Sequence, residues 1–239
     1  MATLTQTVGQ LVAEKPARAV VFERVGIDFC CGGKLLLEDA CRNRGLKVSE
    51  VLNLLDLADS TGETVQDNWA VFSLSNLCDH IVAKHHAYLR RELPRLGTLL
   101  FRVSEVHGEQ HPELHRVLEL YTRFAGDMKR HIDVEEEVLF PMIRQLEDGV
   151  SPQGGSPGRL ELLIEDLANE HETAGATLAE VRMLTRDYYV PGDACDSYKL
   201  LLMQLAEFER DLHEHVGIEN NILVPKTCQI EQMQMAHQY

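Results

Sequence analysis

The sequence predicts an all-α protein in which a small N-terminal helical domain is followed by an up-down-up-down four-helix bundle. From residue 73 onward, apolar residues recur with the 3.6-residue period of a helix, and the alternation typical of strands is absent. Breaks rich in Gly, Ser and Pro separate four such segments, at residues 73–104, 112–146, 159–187 and 194–224. Long helices with short connections favour an antiparallel bundle, whose core is a common place for a metal site.

The first 58 residues are predicted to form a separate helical unit with a small core. One short helix is expected around Leu11 and Phe22, a second at residues 35–44, and a third at 48–58 with Ser49 as its cap. Residues 59–70 carry little apolar periodicity and are expected to be a linker. The predicted order is therefore a helical domain (1–58), a linker (59–70), a bundle (71–226) and a polar tail (227–239).

Charge and composition exclude several classes of protein. The 239 residues contain 23 Lys and Arg against 38 Asp and Glu, a formal net charge of −15, which argues against binding nucleic acid or an anionic membrane. The chain has no apolar run of membrane-spanning length and no secretion signal at its start, so a cytoplasmic location is expected. Six cysteines without a regular framework indicate reduced thiols rather than structural disulfides.

A repeated phrase is the strongest functional signal. It runs His131-x-x-x-Glu135-x-x-x-Leu139-Phe140-Pro141 and returns 84 residues later as His215-x-x-x-Glu219-x-x-x-Leu223-Val224-Pro225. Each proline is expected to end its helix. Side chains four residues apart lie on one helix face, and in both copies the His and the Glu fall within the apolar stripe. Buried carboxylates are costly unless protons, ion pairs or a bound cation neutralise them.

The first and third helices each add one histidine to the same kind of stripe. His171 lies in the apolar seam of the third helix, whereas in the first helix either His85 or His86 fits. His86 precedes His131 by 45 residues, and His171 precedes His215 by 44. Two halves of near-equal length would bring four histidines and two carboxylates to the same height along the bundle axis. That set predicts a dinuclear site for iron, zinc or manganese.

The chain resembles the Repair of Iron Centres family, cytoplasmic di-iron proteins with a small Cys-Cys-Gly-Gly domain and a hemerythrin-like bundle. The resemblance covers nearly the whole chain up to Lys226, and it rests on the repeated phrase, on the two added histidines and on the sequence Asp28-Phe29-Cys30-Cys31-Gly32-Gly33-Lys34. It selects His86 over His85. It implies two iron ions in an oxo- and carboxylate-bridged centre, with the ligands His86, His131, Glu135, His171, His215 and Glu219.

In this interpretation His86 and His131 bind one iron, His171 and His215 bind the other, and the two glutamates span both. Oxygen-carrying hemerythrins place a further histidine four residues after the third-helix histidine, where this chain has Gly175. One iron therefore lacks a protein ligand, which favours reactivity or iron release over oxygen storage. A secondary iron position near the site that includes His107 is a further hypothesis.

The adjacent thiols of Cys30 and Cys31 are candidate catalytic residues. Neighbouring cysteines do not easily close a disulfide, which leaves buried packing, metal ligation or redox exchange with a partner. The following helix N-terminus and Lys34 are expected to lower a thiol pKa. The hypothesis is that this pair transfers iron or electrons between the bundle and a client.

The resemblance implies a role in repairing iron–sulfur clusters damaged by nitric oxide or peroxide, with iron donation as the leading interpretation. Its partners would be damaged iron–sulfur proteins, with nitric oxide or oxygen as a small ligand and with neither nucleic acid nor membrane. The alternatives are an enzyme that reduces nitric oxide and a protein that binds oxygen or nitric oxide stoichiometrically. The sequence leaves open which of these it is, and whether the chain is a monomer or a homodimer.

Overall fold

The computed structural model describes residues 5–61, 71–150 and 158–236, and within them it contains helices and no β-strand. The all-α prediction is confirmed. The short helices are α1 (Val8–Glu14), α2 (Arg18–Val25), α3 (Leu37–Asn43) and α4 (Val48–Thr61). The long helical segments consist of α5 (Leu74–Ile81), π1 (Val82–His86) and α6 (Ala87–His107); α7 (Glu113–Val134), π2 (Glu135–Leu139) and α8 (Phe140–Glu147); α9 (Arg159–Leu184); and α10 (Asp196–Ile218), π3 (Glu219–Leu223) and α11 (Val224–Ala236).

The single first helix predicted from the sequence is in fact two helices. Lys15, which precedes Pro16, adopts extended backbone angles (φ −145°, ψ 98°), because a proline disfavours the helical conformation of the residue before it. The helix α1 starts at a capping box between Thr7 and Gln10. Ser49 is not a cap, since α4 already begins at Val48.

The chain divides into two compact units. The first contains Met1–Cys78, Ile143–Gly155 and His213–Tyr239. Its core is apolar and includes Leu11, Phe22, Leu37, Leu55, Leu77, Ile143 and Leu223. The buried Arg18 is neutralised by Asp59, whose carboxylate lies 2.8 Å from its guanidinium. Most of the predicted linker (59–70) lies outside the described residues, and the domain boundaries stay predictions.

The second unit contains Asp79–Met142 and Ser156–Leu212. Within it α6 packs beside α7, and α7 packs beside α9. The rings of Tyr121, Phe124 and Phe208 form its aromatic centre, with the Phe124 and Phe208 centroids 5.7 Å apart. No helix in the described part of the chain is long and apolar enough to span a membrane.

Three short π segments interrupt the α-helices, and they change which residues are buried. A π turn contains about one residue more than an α turn, so the apolar stripe shifts by about one position after it. At the end of π2, Leu139 and Phe140 are accordingly buried, whereas Val138, which the 3.6-residue period had placed in the stripe, is only half-buried.

The two prolines of the repeated phrase do not end their helices, contrary to the prediction. Helix α8 continues through Pro141 to Glu147, and α11 continues through Pro225 to Ala236, which makes much of the predicted polar tail helical. Each proline lies two residues after a π segment. The change from π to α hydrogen bonding leaves a position there at which a missing N–H disturbs the helix least.

Candidate metal centre

The three π segments each carry a predicted metal ligand at one end. His86 is the last residue of π1, Glu135 is the first of π2, and Glu219 is the first of π3. Because π turns displace side chains from their α-helical positions, they are frequent at functional sites. Helix propensity gives no signal for such turns, and the sequence analysis did not predict them.

Four predicted ligands meet in the second unit. His86, His131, Glu135 and His171 are each at most 4% exposed. One carboxylate oxygen of Glu135 lies 3.3 Å from His86 Nε2, and the other lies 3.4 Å from His131 Nε2. A carboxylate whose two oxygens face two different imidazoles has the arrangement of a bridging ligand.

His131 and His171 are direct neighbours, since their Nε2 atoms are 2.9 Å apart. Together with Glu135 they offer ligand atoms that all lie within 4.8 Å of one another. The sequence interpretation had paired His86 with His131 and His171 with His215. The structure instead brings His131 and His171 together from the adjacent helices α7 and α9.

Outer carboxylates orient two of these histidines. His131 Nδ1 lies 2.8 Å from Glu170, and His86 Nδ1 lies 2.9 Å from Glu136. Arg90 also donates to Glu136, over 3.1 Å. A histidine that donates its Nδ1 hydrogen to a carboxylate keeps its Nε2 lone pair for a metal, and the carboxylate raises the basicity of the ring.

The second copy of the repeated phrase lies in the first unit. His215 Nε2 is 2.9 Å from Glu219 Oε1, and both side chains are at most 2% exposed. The i, i+4 spacing therefore places this imidazole and carboxylate together in a dry environment, as the sequence predicted for a ligand pair.

His85 is also fully buried, but it makes a different contact from His86. Its Nδ1 atom lies 3.1 Å from Asp211 Oδ1, and its ring meets that of His80 at 5.8 Å. The sequence analysis did not find the partner of His85, because Asp211 is 126 residues away in the chain.

The Cys30–Cys31 turn is built around Asp28. One carboxylate oxygen of Asp28 accepts hydrogen bonds from the backbone N–H groups of Cys30, over 3.0 Å, and of Cys31, over 2.9 Å. The two sulfur atoms are 3.8 Å apart. Cys30 is buried and Cys31 is half-buried. The carboxylate and the two thiols form a compact set of potential ligands, all within 4.8 Å.

The expected lowering of the thiol pKa is wrong for Cys30. The hydrogen bond with Cys31, burial and the nearby charge of Asp28 raise the pKa of Cys30 well above its ordinary value. The next helix, α3, begins only at Leu37, too far along the chain for its N-terminal dipole to act on Cys30. Cys30 therefore stays a neutral thiol near pH 7.

Two asparagines next to Glu219 hold this turn. Asn220 donates to the carbonyl oxygen of Cys30 over 3.2 Å, and Asn221 donates to that of Phe29 over 3.0 Å. A Cβ atom on Gly33 would collide with the Asn221 amide oxygen. The glycine therefore permits the turn to approach π3. The sequence analysis did not predict that the two asparagines contact this turn, because the contact spans about 190 residues.

Comparison with known proteins agrees with this geometry. The family described as Hemerythrin HHE cation binding domain matches residues 79–227, and ScdA_N, described as a Domain of Unknown function (DUF542), matches residues 4–59. An iron-sulfur cluster repair protein ScdA of Staphylococcus epidermidis is 33% identical over 95% of this chain and 99% of its own length. The chain belongs to the Repair of Iron Centres family. Its C-terminal hemerythrin HHE domain is a cation-binding domain.

Other relatives match over the same extent. A probable iron-sulfur cluster repair protein of Haemophilus influenzae is 32% identical over 95% of this chain and 98% of its own length. The iron-sulfur cluster repair protein YtfE of Escherichia coli O157:H7 is 31% identical over 95% of this chain and 98% of its own length. These matches to cluster-repair proteins therefore include both the N-terminal and the C-terminal domain of the chain.

The donor set fits the metal that this family implies. Neutral imidazoles and carboxylates are the ligands that iron, zinc and manganese accept. Two carboxylates, Glu135 and Glu219, are at most 2% exposed, and the charge of such groups needs a compensating cation or proton in the interior. His107 does not belong to this region, because it lies 21 residues after His86 on a continuous helix, about 30 Å along its axis.

Proposed function

We propose that this protein is a di-iron protein that helps to repair iron–sulfur clusters damaged by nitrosative or oxidative stress, by donating iron. The observation that carries the proposal is the position of the buried Glu135 carboxylate, whose two oxygens face His86 and His131. The printed names of the relatives support the cluster-repair role. Nitric oxide as a small ligand and a cytoplasmic location are parts of the same proposal.

The proposed ligands are the six residues that the sequence predicted, with a revised division between the two irons. His131 and His171 would hold one iron, and His86 and His215 would remain for the other. Glu135 and Glu219 would supply the carboxylates shared by the pair. The iron pair supplies a redox-active cation with coordination positions open to exchange. Glu136 and Glu170 keep two of the histidines oriented with Nε2 toward the metal.

The two cysteines are proposed to carry iron toward a client protein. Cys31 is the more accessible thiol and would make the first contact with the client. Asp28, Cys30 and Cys31 together offer three donor atoms close enough to hold an iron ion in transit, which supports this role. Asn220, the residue after Glu219, holds the same turn by its hydrogen bond to the Cys30 carbonyl oxygen.

A repair assay tests the function. An iron–sulfur enzyme inactivated by nitric oxide is incubated anaerobically with iron-loaded protein, and its recovered activity is compared with that given by equimolar free ferrous iron. We expect faster recovery with the protein, and loss of this advantage in a Cys30→Ala, Cys31→Ala double variant. Cys228→Ala, which removes a half-buried thiol of the same unit, is the matched control. Recovery no faster than with free iron would contradict iron donation.

A second candidate function is the binding or reduction of nitric oxide. An open groove of about 340 Å³ between α7 and α9 is lined by His131, Glu170 and Ala174, so a small molecule has a route to a proposed iron ligand. With Gly175 in place of a further histidine, one iron has a position free for that molecule. Repeated turnover of nitric oxide with an electron donor would favour reduction, whereas uptake of one equivalent would favour binding alone.

A further inference from the structure

A cluster of chemically active side chains lies in the second unit, about 30 Å along α6 from His86, at the end of that helix. It consists of His107 at the end of α6, His111 in the following turn, Asp193 and Cys195 before α10, and Tyr198 in the first turn of α10. His107 Nε2 lies 3.1 Å from the sulfur of Cys195, and Cys195 is exposed. The proposed function uses none of these residues.

We infer that Cys195 is a reactive thiol, activated by His107, which exchanges with low-molecular-weight disulfides. An imidazole within hydrogen-bond distance of a thiol can take up its proton and leave the thiolate, which is the nucleophilic form. Reactive cysteines are found where such a base and a favourable electrostatic position coincide. Both are present at Cys195.

The favourable position is the start of a long helix. The carbonyl oxygen of Cys195 accepts the first helical hydrogen bond from Lys199 N, over 3.0 Å, so Cys195 is the N-cap residue of the 23-residue helix α10. The partial positive charge of a helix N-terminus stabilises an anion at this position. Asp193 and Asp196 are nearby acids that oppose the thiolate, which makes the contribution of His107 the decisive one.

The ring of His107 is held in place by its neighbours. Its centroid is 5.2 Å from that of Tyr198 and 6.4 Å from that of His111. His111 is fixed in turn between Glu113 and Asp193, at 3.1 Å and 3.2 Å. Within the described part of the chain, the groups of three or more ligand atoms within 4.8 Å do not include Cys195. The imidazole is therefore held beside the sulfur of Cys195.

The proposed step is balanced as a thiol–disulfide exchange. His107 Nε2 accepts the proton of Cys195, and the thiolate attacks one sulfur of the small disulfide. A new bond from Sγ forms as the S–S bond of the reagent breaks, and the leaving thiolate takes the proton back from the imidazolium. The disulfide is the oxidant, and the product is a mixed disulfide at Cys195 together with one free thiol.

The test uses the full chain and the neutral probe 2,2′-dithiodipyridine, since a protein with a net charge of −15 repels anionic disulfides. The rate of labelling at Cys195 is followed at pH 7 by mass spectrometry of its peptide. We expect His107→Gln to slow labelling by at least about tenfold, because the thiol loses the base that takes up its proton. His115→Gln is the matched control, because this ring at the same end of the unit hydrogen-bonds Ser104 instead, and it should change the rate less than twofold.

A second measurement does not depend on any variant. Cys195 in the folded protein should react at least about tenfold faster than the same cysteine in a short peptide of residues 190–200, which has neither the helix nor His107. A wild-type rate in His107→Gln would overturn the proposal. So would a folded-state rate no higher than that of the peptide.

Discussion

His131 Nδ1 and the carboxylate of Glu170 lie 2.8 Å apart across the contact between α7 and α9. The His131 imidazole is buried, whereas the Glu170 side chain that orients it is 56% exposed. Glu170 fixes the orientation of the ring, which turns Nε2 toward His171 and Glu135. The orientation of this predicted ligand thus depends on a carboxylate at the surface.

The first prediction concerns this outer carboxylate. Glu170→Ala should weaken iron binding by about 10–100-fold, because the His131 ring loses the partner that fixes its tautomer and orientation. The measurement is competition for ferrous iron with a chelator of known affinity. Glu172→Ala removes an exposed glutamate two residues along the same helix and should bind iron like the wild type. Equal affinities of the two variants would show that Glu170 does not support the metal.

The second prediction concerns the start of α5. The Glu147 carboxylate accepts hydrogen bonds from Leu74 N, over 2.7 Å, and from Ser75 N, over 2.9 Å. Glu147→Gln should lower the free energy of unfolding by about 1 kcal/mol, as loss of a helix cap does. Asp148→Asn changes the neighbouring exposed carboxylate and should have little effect in the same urea titration.

The pH dependence of this cap follows from its pKa. Burial raises the pKa of Glu147, but the hydrogen bonds from Ser75 and Leu74 outweigh it and lower the pKa below its ordinary value of 4.5. The stabilisation is therefore fully present above about pH 4.5 and is lost as the pH falls through the lowered value. The stability difference between wild type and Glu147→Gln should be constant near neutral pH and narrow in acid. A difference that persists unchanged at pH 3 would contradict this reading.

A third prediction concerns His111, whose contribution to stability should have the opposite pH dependence. Burial lowers its pKa, but hydrogen bonds to Glu113 and Asp193 more than offset this and raise the pKa above 6.5. The ionic stabilisation is present below about pH 6.5 and is lost as the pH rises through the raised value. His111→Gln should therefore destabilise the protein more at pH 6 than at pH 9. Titration of the ring by NMR should give a midpoint above 6.5, and a midpoint below 6.5 would exclude the ion pair.

Sequence pattern was enough to place the predicted ligands on core-facing helix surfaces, because the i, i+4 spacing and the apolar period are local properties. His131, Glu135, His215 and Glu219 are accordingly buried where the repeated phrase predicted. The contact of His131 with His171 was not predictable, since it depends on which helices are adjacent in space. The π segments were missed for a related reason, because no residue type marks a π turn.

Polar contacts without a periodic pattern account for the other misses. The pKa of Cys30 was expected to fall because of nearby Lys34 and a helix start, but the hydrogen bond with Cys31, burial and the charge of Asp28 raise it. The partners of His85 and of the Cys30 carbonyl, Asp211 and Asn220, lie more than 100 residues away in the chain. Single-sequence reasoning does not connect residues at such separations when they share no periodic pattern.

The central claim is that six residues hold a pair of irons, namely His86, His131, Glu135, His171, His215 and Glu219. It is tested most directly by metal analysis combined with Mössbauer spectroscopy. The protein is purified anaerobically from iron-replete cells, and Glu135→Ala is purified in parallel. The account predicts about two irons per wild-type chain, with the spectrum of a coupled pair, and a large loss of iron in the variant because a bridging carboxylate contacts both metals. One zinc per chain and no iron, or unchanged iron in Glu135→Ala, would contradict it.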